Sequence, residues 1–196
     1  FAAERDRIRT DRERRAREMV ARLRDLGVPV EWRRVAALAA GGAVGRPHVA
    51  RAMVELGVVP DVAGAFTAEW IGHDGRAYVP KYALDPGRVI ALVRDAGGVS
   101  VIAHPRASAH GMSQPDELLE ELAAAGLTGV EVDHPDQPES KRRALRDLAR
   151  ALRLVTTGSS DYHGDNKFVR LAAETTSREA YEALAAQATG ATPIRR

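Results

Sequence analysis

Leu154-Val-Thr-Thr-Gly-Ser-Ser-Asp-Tyr-His-Gly164 is the stretch whose reading decides the fold. Its first four residues are apolar or β-branched, the composition of a short buried strand. The strand runs into glycine and serine, then into Asp161 and His163, two side chains able to do chemistry. The same arrangement occurs twice upstream. Val99-Ser-Val-Ile-Ala103 runs into His104-Pro105, and Gly129-Val-Glu-Val-Asp133 runs into His134-Pro-Asp136. Helical patterns separate these runs. Asp85-Pro86 opens one with Val89, Leu92, Val93 and Ala96 on one face, and Gly97-Gly98 stops it. Ser113-Gln-Pro115 opens a second that Gly126 stops, and Pro138 opens a third with Leu145, Leu148, Ala149 and Leu152 on one face. A last helix is predicted over Ser177 to Ala186. Strands alternating with helices predict an α/β fold with a parallel sheet over residues 84–196.

In parallel β/α folds, catalytic groups collect just beyond the C-terminal ends of the strands. Three successive strand ends here carry His or Asp. Asp161 and His163 are two residues apart, so on an extended segment they point the same way and can face one ion or a pair of ions. The other reading of this pair is a capping aspartate beside a surface histidine. The chain has no cysteine, so any metal must be held by His, Asp or Glu. Such donors suit Mn²⁺, Zn²⁺ or Fe²⁺. His104, Asp161 and His163 are expected to converge at one end of the sheet.

Residues 1–83 read differently, as a small all-helical block. Residues 4–26 are dense in Arg, Glu and Asp, with Ile8, Met19, Val20, Leu23 and Leu26 on one stripe. Alternating charges predict a solvated face with i,i+4 pairs, although a nucleic-acid surface is the competing reading. Further short helices are predicted over Glu31–Ala40, Arg46–Gly57 and Val62–Trp70. Glu31–Gly57 could instead be a helix-turn-helix unit that places Arg46, His48 and Arg51 on a recognition helix. That alternative leaves the His and Asp clusters at the strand ends unexplained.

Composition narrows the class. Of the 196 residues, 44% are hydrophobic and 29% charged, which predicts a folded globular chain. The formal charge of +2 favours anionic partners only weakly. No apolar run approaches the roughly 20 residues that cross a bilayer, so no membrane role is expected. No feature points to a protein partner, and the default compartment is the cytoplasm. Phe1-Ala-Ala-Glu-Arg-Asp reads as a cut through a helix already under way.

Gly97-Gly-Val-Ser-Val-Ile-Ala-His-Pro105 and Thr157-Gly-Ser-Ser-Asp-Tyr-His-Gly164 resemble the third and fourth signature motifs of the PHP (polymerase and histidinol phosphatase) superfamily. Gly45-Arg-Pro-His-Val-Ala-Arg51 and Gly75-Arg-Ala-Tyr-Val-Pro80 resemble a narrower group, the nucleoside 3′,5′-bisphosphate phosphatases and their 5′-nucleotide-hydrolysing relatives. The resemblance implies the C-terminal part of a distorted (β/α)₇ barrel over 84–196, with a helical insertion domain over 1–83. It implies a metal-dependent phosphoesterase with Mn²⁺ the first candidate metal, acting on phosphomonoesters of nucleotides or nucleoside bisphosphates, or on short RNA 5′ ends. Carried over residue by residue, Asp161 and His163 match ligands of the fourth motif. His104 matches the third-motif histidine, a metal ligand or a group near the leaving group. His104 and Asp161 are therefore the implied catalytic residues. Arg46 matches an arginine that faces substrate phosphate, and His48 is expected beside it on the substrate or as a helix-packing residue. The family's His-x-His first strand is absent from this sequence. The chain therefore reads as the end of a longer protein, with too few ligands for a complete metal cluster and little activity expected of it alone. A non-catalytic barrel fragment used for assembly is the remaining reading.

Overall fold

The structure, a computed structural model, describes residues 2–107, 113–162 and 169–191. Two compact units divide the chain between residues 83 and 84.

The first unit is helical. Helix α1 (Ala2–Asp25) buries Ala16, Met19, Val20 and Leu23, the apolar stripe read from the sequence. Its other face carries Arg17–Glu13, Arg14–Glu18 and Arg22–Glu18 pairs at i,i+4. Exposed pairs of this kind contribute only a few tenths of a kcal/mol each, so burial of the stripe is what holds the helix to the unit. Two arginines on α1 reach further. Arg15 donates to the Val79 carbonyl at 2.8 and 3.1 Å, and Arg22 donates to the Tyr78 carbonyl at 2.5 Å. These bonds strap the Tyr78–Val79 segment onto the helix. Helices α2 (Trp32–Leu38), α3 (Arg46–Glu55) and α4 (Val62–Ala65) supply Val35, Val49, Ala50, Met53 and Ala65 to one core. Pro47 stands in the first turn of α3, where its missing N–H costs nothing.

The helix predicted over Val62–Trp70 ends early, at Ala65. Asp61 caps it by accepting from the Gly64 N–H at 2.8 Å, but after Phe66 the chain folds back. Ile71 N–H donates to Ala65 O, and Gly72 N–H to Thr67 O. A Cβ at Gly72 would lie 2.6 Å from the Thr67 carbonyl oxygen, so the turn needs glycine there. Packing of Ile71 and Ala77 into the core overrides the helical pattern.

The second unit is α/β. Its elements are α5 (Pro86–Asp95), β1 (Val101–Ile102), α6 (Asp116–Ala124), β2 (Gly129–Asp133), α7 (Glu139–Ala151), β3 (Val155–Gly158) and α8 (Arg178–Gln187). The strands are parallel, in the order β1-β2-β3. Caps fix helix starts as the sequence suggests: Asp85 accepts from Arg88 N–H and Ser177 from Ala180 N–H. Val130, Val132, Leu119, Leu122, Leu145 and Ala149 form the core between sheet and helices. The strand predicted as buried over 99–103 is shorter, and Val101 is 37% exposed. Among the described residues β1 pairs only with β2, so it is an edge strand with one open side. Among the described residues the three strands form one parallel sheet, fewer than a closed barrel needs.

Candidate metal and phosphate site

β2 carries an irregularity that positions the site. Glu131 pairs with Thr157 and Asp133 with Gly158, so the register slips by one residue at Val132. Such bulges redirect the side chains that follow. Beyond this one, His134 turns inward and is 1% exposed. β3 approaches closely at the same level. A Cβ at Gly158 would meet the Thr175 carbonyl oxygen at 2.6 Å, and only glycine fits.

His104 and Asp161 leave their strands through left-handed backbone, with φ of 28° and 47°. Non-glycine residues there are uncommon and cluster at functional sites. Each is tied down. Glu131 accepts from the His104 N–H at 3.0 Å, and Ser159 Oγ accepts from the Asp161 N–H at 3.1 Å.

The result is a cluster. One ligand atom each from His104, His134 and Asp161 lies within 4.8 Å of the others. The His104 and His134 rings stand 4.5 Å apart, centroid to centroid, and His134 Nε2 is 3.7 Å from Asp161 Oδ2. Neutral imidazole and carboxylate are hard-to-borderline donors that suit a divalent first-row ion. An apolar cavity of about 470 Å³ opens beside His104, bounded also by Pro86, Ile102, Pro105, Leu118 and Leu122.

Of the residues singled out in the sequence, His104 and Asp161 come together; His163 lies outside the described residues. His134, recognised as a strand-end histidine but not named a site residue, is the third member. The supporting shell was not read from the sequence at all. Gln137 is buried, donates to Glu131 O and Val132 O, and accepts from the Arg106 N–H at 2.7 Å. It therefore ties the loop after His104 to the bulged part of β2. Arg142 on α7 donates to His134 O at 2.6 Å and Gln137 O at 2.8 Å, and pairs with Glu174 at 2.7 Å. Asp133 is taken up by Arg146 at 2.6 Å. Gln at 137 gave no signal because its partners are main-chain atoms. Gln137→Ala leaves buried main-chain groups without partners and is expected to destabilise the chain by about 2 kcal/mol, read as a lower midpoint in urea unfolding.

In the helical unit, Arg46 stacks over Phe66 and Tyr78, 5.3 and 5.9 Å from their ring centroids. His48 Nδ1 accepts from the Gly45 N–H at 3.1 Å and so caps its own helix. Burial, and then the neighbouring Arg46 charge, hold the Arg15 guanidinium below its ordinary value.

No protein-family model matches the chain. It is similar to the 5′-3′ exoribonuclease Rnm of Salmonella typhimurium, 29% identical over 160 residues, 82% of this chain and 54% of that protein. It is also similar to the phosphoribosyl 1,2-cyclic phosphate 1,2-diphosphodiesterase of Eggerthella lenta, 39% identical over 88 residues, 45% of this chain and 31% of that protein. Among solved structures, a candidate metal-dependent phosphoesterase from Bifidobacterium adolescentis matches with a TM-score of 0.78 and 31% identity, over 94% of this chain and 65% of that one. The chain thus spans about half the length of the exoribonuclease and under two thirds of the solved structure. These relatives are named as hydrolases of phosphate esters, one of them metal-dependent.

Proposed function

We propose that this chain carries part of a metal-dependent phosphoesterase of the PHP type. Its substrates are phosphomonoesters of nucleotides or nucleoside bisphosphates, or the 5′ ends of short RNA. The observation that carries this reading is the convergence of His104, His134 and Asp161 within 4.8 Å at the ends of three parallel strands. The fit to a divalent ion is chemical: an imidazole and a carboxylate held on constrained backbone, with no cysteine in the chain.

His104 and Asp161 are the residues that would hold the ion, with His163 the third expected ligand. A divalent ion held by these residues would supply Lewis-acid chemistry, making water more acidic and offsetting charge on the phosphoryl group. The protein's own part is orientation. Glu131 and Ser159 fix the backbone of the two ligands, and Gln137 and Arg142 fix the loops behind them. The apolar cavity beside His104 supports an organic phosphate ester as substrate. Arg46 serves as a phosphate-binding residue in the helical unit, where a guanidinium fork suits phosphate oxygens.

The helix-turn-helix alternative loses support. Arg46 is stacked on its own unit's aromatic rings and His48 caps its own helix, so two of the three supposed reading residues are engaged internally.

The test is phosphate release by the protein carrying this chain, from adenosine 3′,5′-bisphosphate and from a 5′-phosphorylated oligoribonucleotide. Release is expected with Mn²⁺ and is lost on chelation. Release unaffected by chelation, or none from either substrate, overturns the reading. The ratio of the two rates assigns the substrate class.

A further inference from the structure

His134 is buried to 1% exposure, and its two ring nitrogens have different fates. Nδ1 accepts the Asp136 N–H at 3.1 Å. Nε2 has no hydrogen-bond partner among the described residues. A neutral imidazole carries one proton, so a ring that accepts at Nδ1 donates at Nε2. Turning the ring over would exchange Nδ1 for a carbon and set a C–H against the Asp136 N–H, losing that bond. The main chain around the ring is also pinned. Arg142 and the Gln137 N–H both donate to the His134 carbonyl.

A metal ion needs a lone pair. Ligation at His134 Nε2 would move the proton to Nδ1, where it would face the Asp136 N–H, donor against donor. Proximity alone therefore groups His134 with His104 and Asp161 as a ligand, while hydrogen-bond direction argues against it.

We infer that His134 presents an N–H donor to the site at Nε2 and is not a metal ligand, and that the acceptor it serves is a phosphoryl oxygen of the substrate. The identity of the acceptor rests on the phosphoesterase reading; the donor state does not. A buried donor without an acceptor is unfavourable, and so such groups mark places where a partner arrives. Asp161 Oδ2 is 3.7 Å away, outside hydrogen-bonding distance. An incoming oxyanion can approach Nε2 more closely. Next to His104 and Asp161, the donor would bind the same phosphoryl group whose charge an ion there offsets. It adds a directional contact that an ion does not supply.

The experiment uses the 196-residue chain with ¹⁵N-labelled histidine rings, read by long-range proton–nitrogen correlation. His134 is assigned by the signal missing from His134→Gln or, should that variant not fold, by exclusion with single glutamine variants of the other five histidines, His48, His73, His104, His110 and His163. The expected result is a proton-bearing Nε2 and a bare Nδ1 at His134. Zn²⁺ moves the His104 ring signals and leaves the His134 proton in place. Inorganic phosphate, added next, shifts the His134 Nε2–H resonance. His134→Phe should weaken phosphate binding about tenfold or more, while His134→Gln, which keeps an N–H donor, retains part of it. A proton on Nδ1, or loss of the Nε2 proton on adding Zn²⁺, overturns the inference. So does a His134 signal that ignores phosphate. Should Zn²⁺ leave His104 unmoved while His134 still donates and still answers phosphate, the metal reading fails and this one stands.

Discussion

Asp161→Asn should lower the affinity of the chain for Mn²⁺ or Zn²⁺ by at least ~100-fold. Loss of a partner one shell out already costs 10–100-fold in metal affinity, and Asp161 would be a direct ligand. Its carboxylate is the one anionic member of the His104, His134 and Asp161 cluster among the described residues. Without it, His104 would be left as a lone neutral nitrogen donor to an ion there among the described residues. Asparagine is the right replacement because Asp161 sits at a φ of 47°. Aspartate and asparagine tolerate that backbone better than other side chains, so the change removes charge and leaves the fold. Asp133→Asn is the matched control. Asp133 lies on β2, but its carboxylate is bonded to Arg146. Titration calorimetry, or competition with a chelating dye, measures both. Equal affinity in the wild type and Asp161→Asn would remove Asp161 from the metal site.

The contrast between these two aspartates shows what the sequence could reveal. Both follow β-branched runs, and local pattern treats them alike. What separates them is where each carboxylate goes: Asp133 pairs with Arg146, thirteen positions downstream on α7, whereas Asp161 lies beside His104 and His134. Local rules served well where the decisive contact is local. Asp85 and Ser177 start helices through bonds to residues three ahead. The parallel sheet follows from alternation along the chain. They failed where a distant residue decides. The bulge at Val132, which turns His134 inward, depends on β2 pairing with β3, and no residue near it announces the slip. Gln137 and Arg142 act through carbonyl groups, which every residue has. The fold-back after Ala65 is set by Ile71 and Ala77 reaching the core, against a pattern that continues as helix to Trp70. That His104 and Asp161 come together was legible because each follows the end of a strand in one parallel sheet.

Arg46→Ala is expected to lower kcat/KM for a phosphate ester by about 30- to 1000-fold while leaving metal affinity unchanged. That range is about 2–4 kcal/mol, the loss of one preorganised charge-assisted contact to a developing oxyanion. The structure bears on the competing view, in which Arg46 only pairs with a nearby acid such as Glu55 or Asp61. Glu55 is taken by Arg34 through bonds of 2.5 and 2.6 Å, and those bonds hold its carboxyl below the usual range. Asp61 caps α4 by accepting from Gly64 N–H. Arg46 instead lies against Phe66 and Tyr78, with the Arg15 guanidinium near enough to feel its charge. Two cations close enough to interact repel each other, and a phosphate bound at Arg46 would relieve that repulsion. Loss of the aromatic stacking alone should cost about 0.5–1 kcal/mol of stability, a change in melting temperature small enough to leave the fold intact during assay. Arg46→Lys separates charge from shape. It keeps the positive charge but not the two-pronged fork, and is expected to recover only part of the lost kcat/KM. Steady-state kinetics with metal content measured in parallel decide the matter. Arg46→Ala with unchanged kcat/KM at normal metal occupancy would assign this arginine to packing alone.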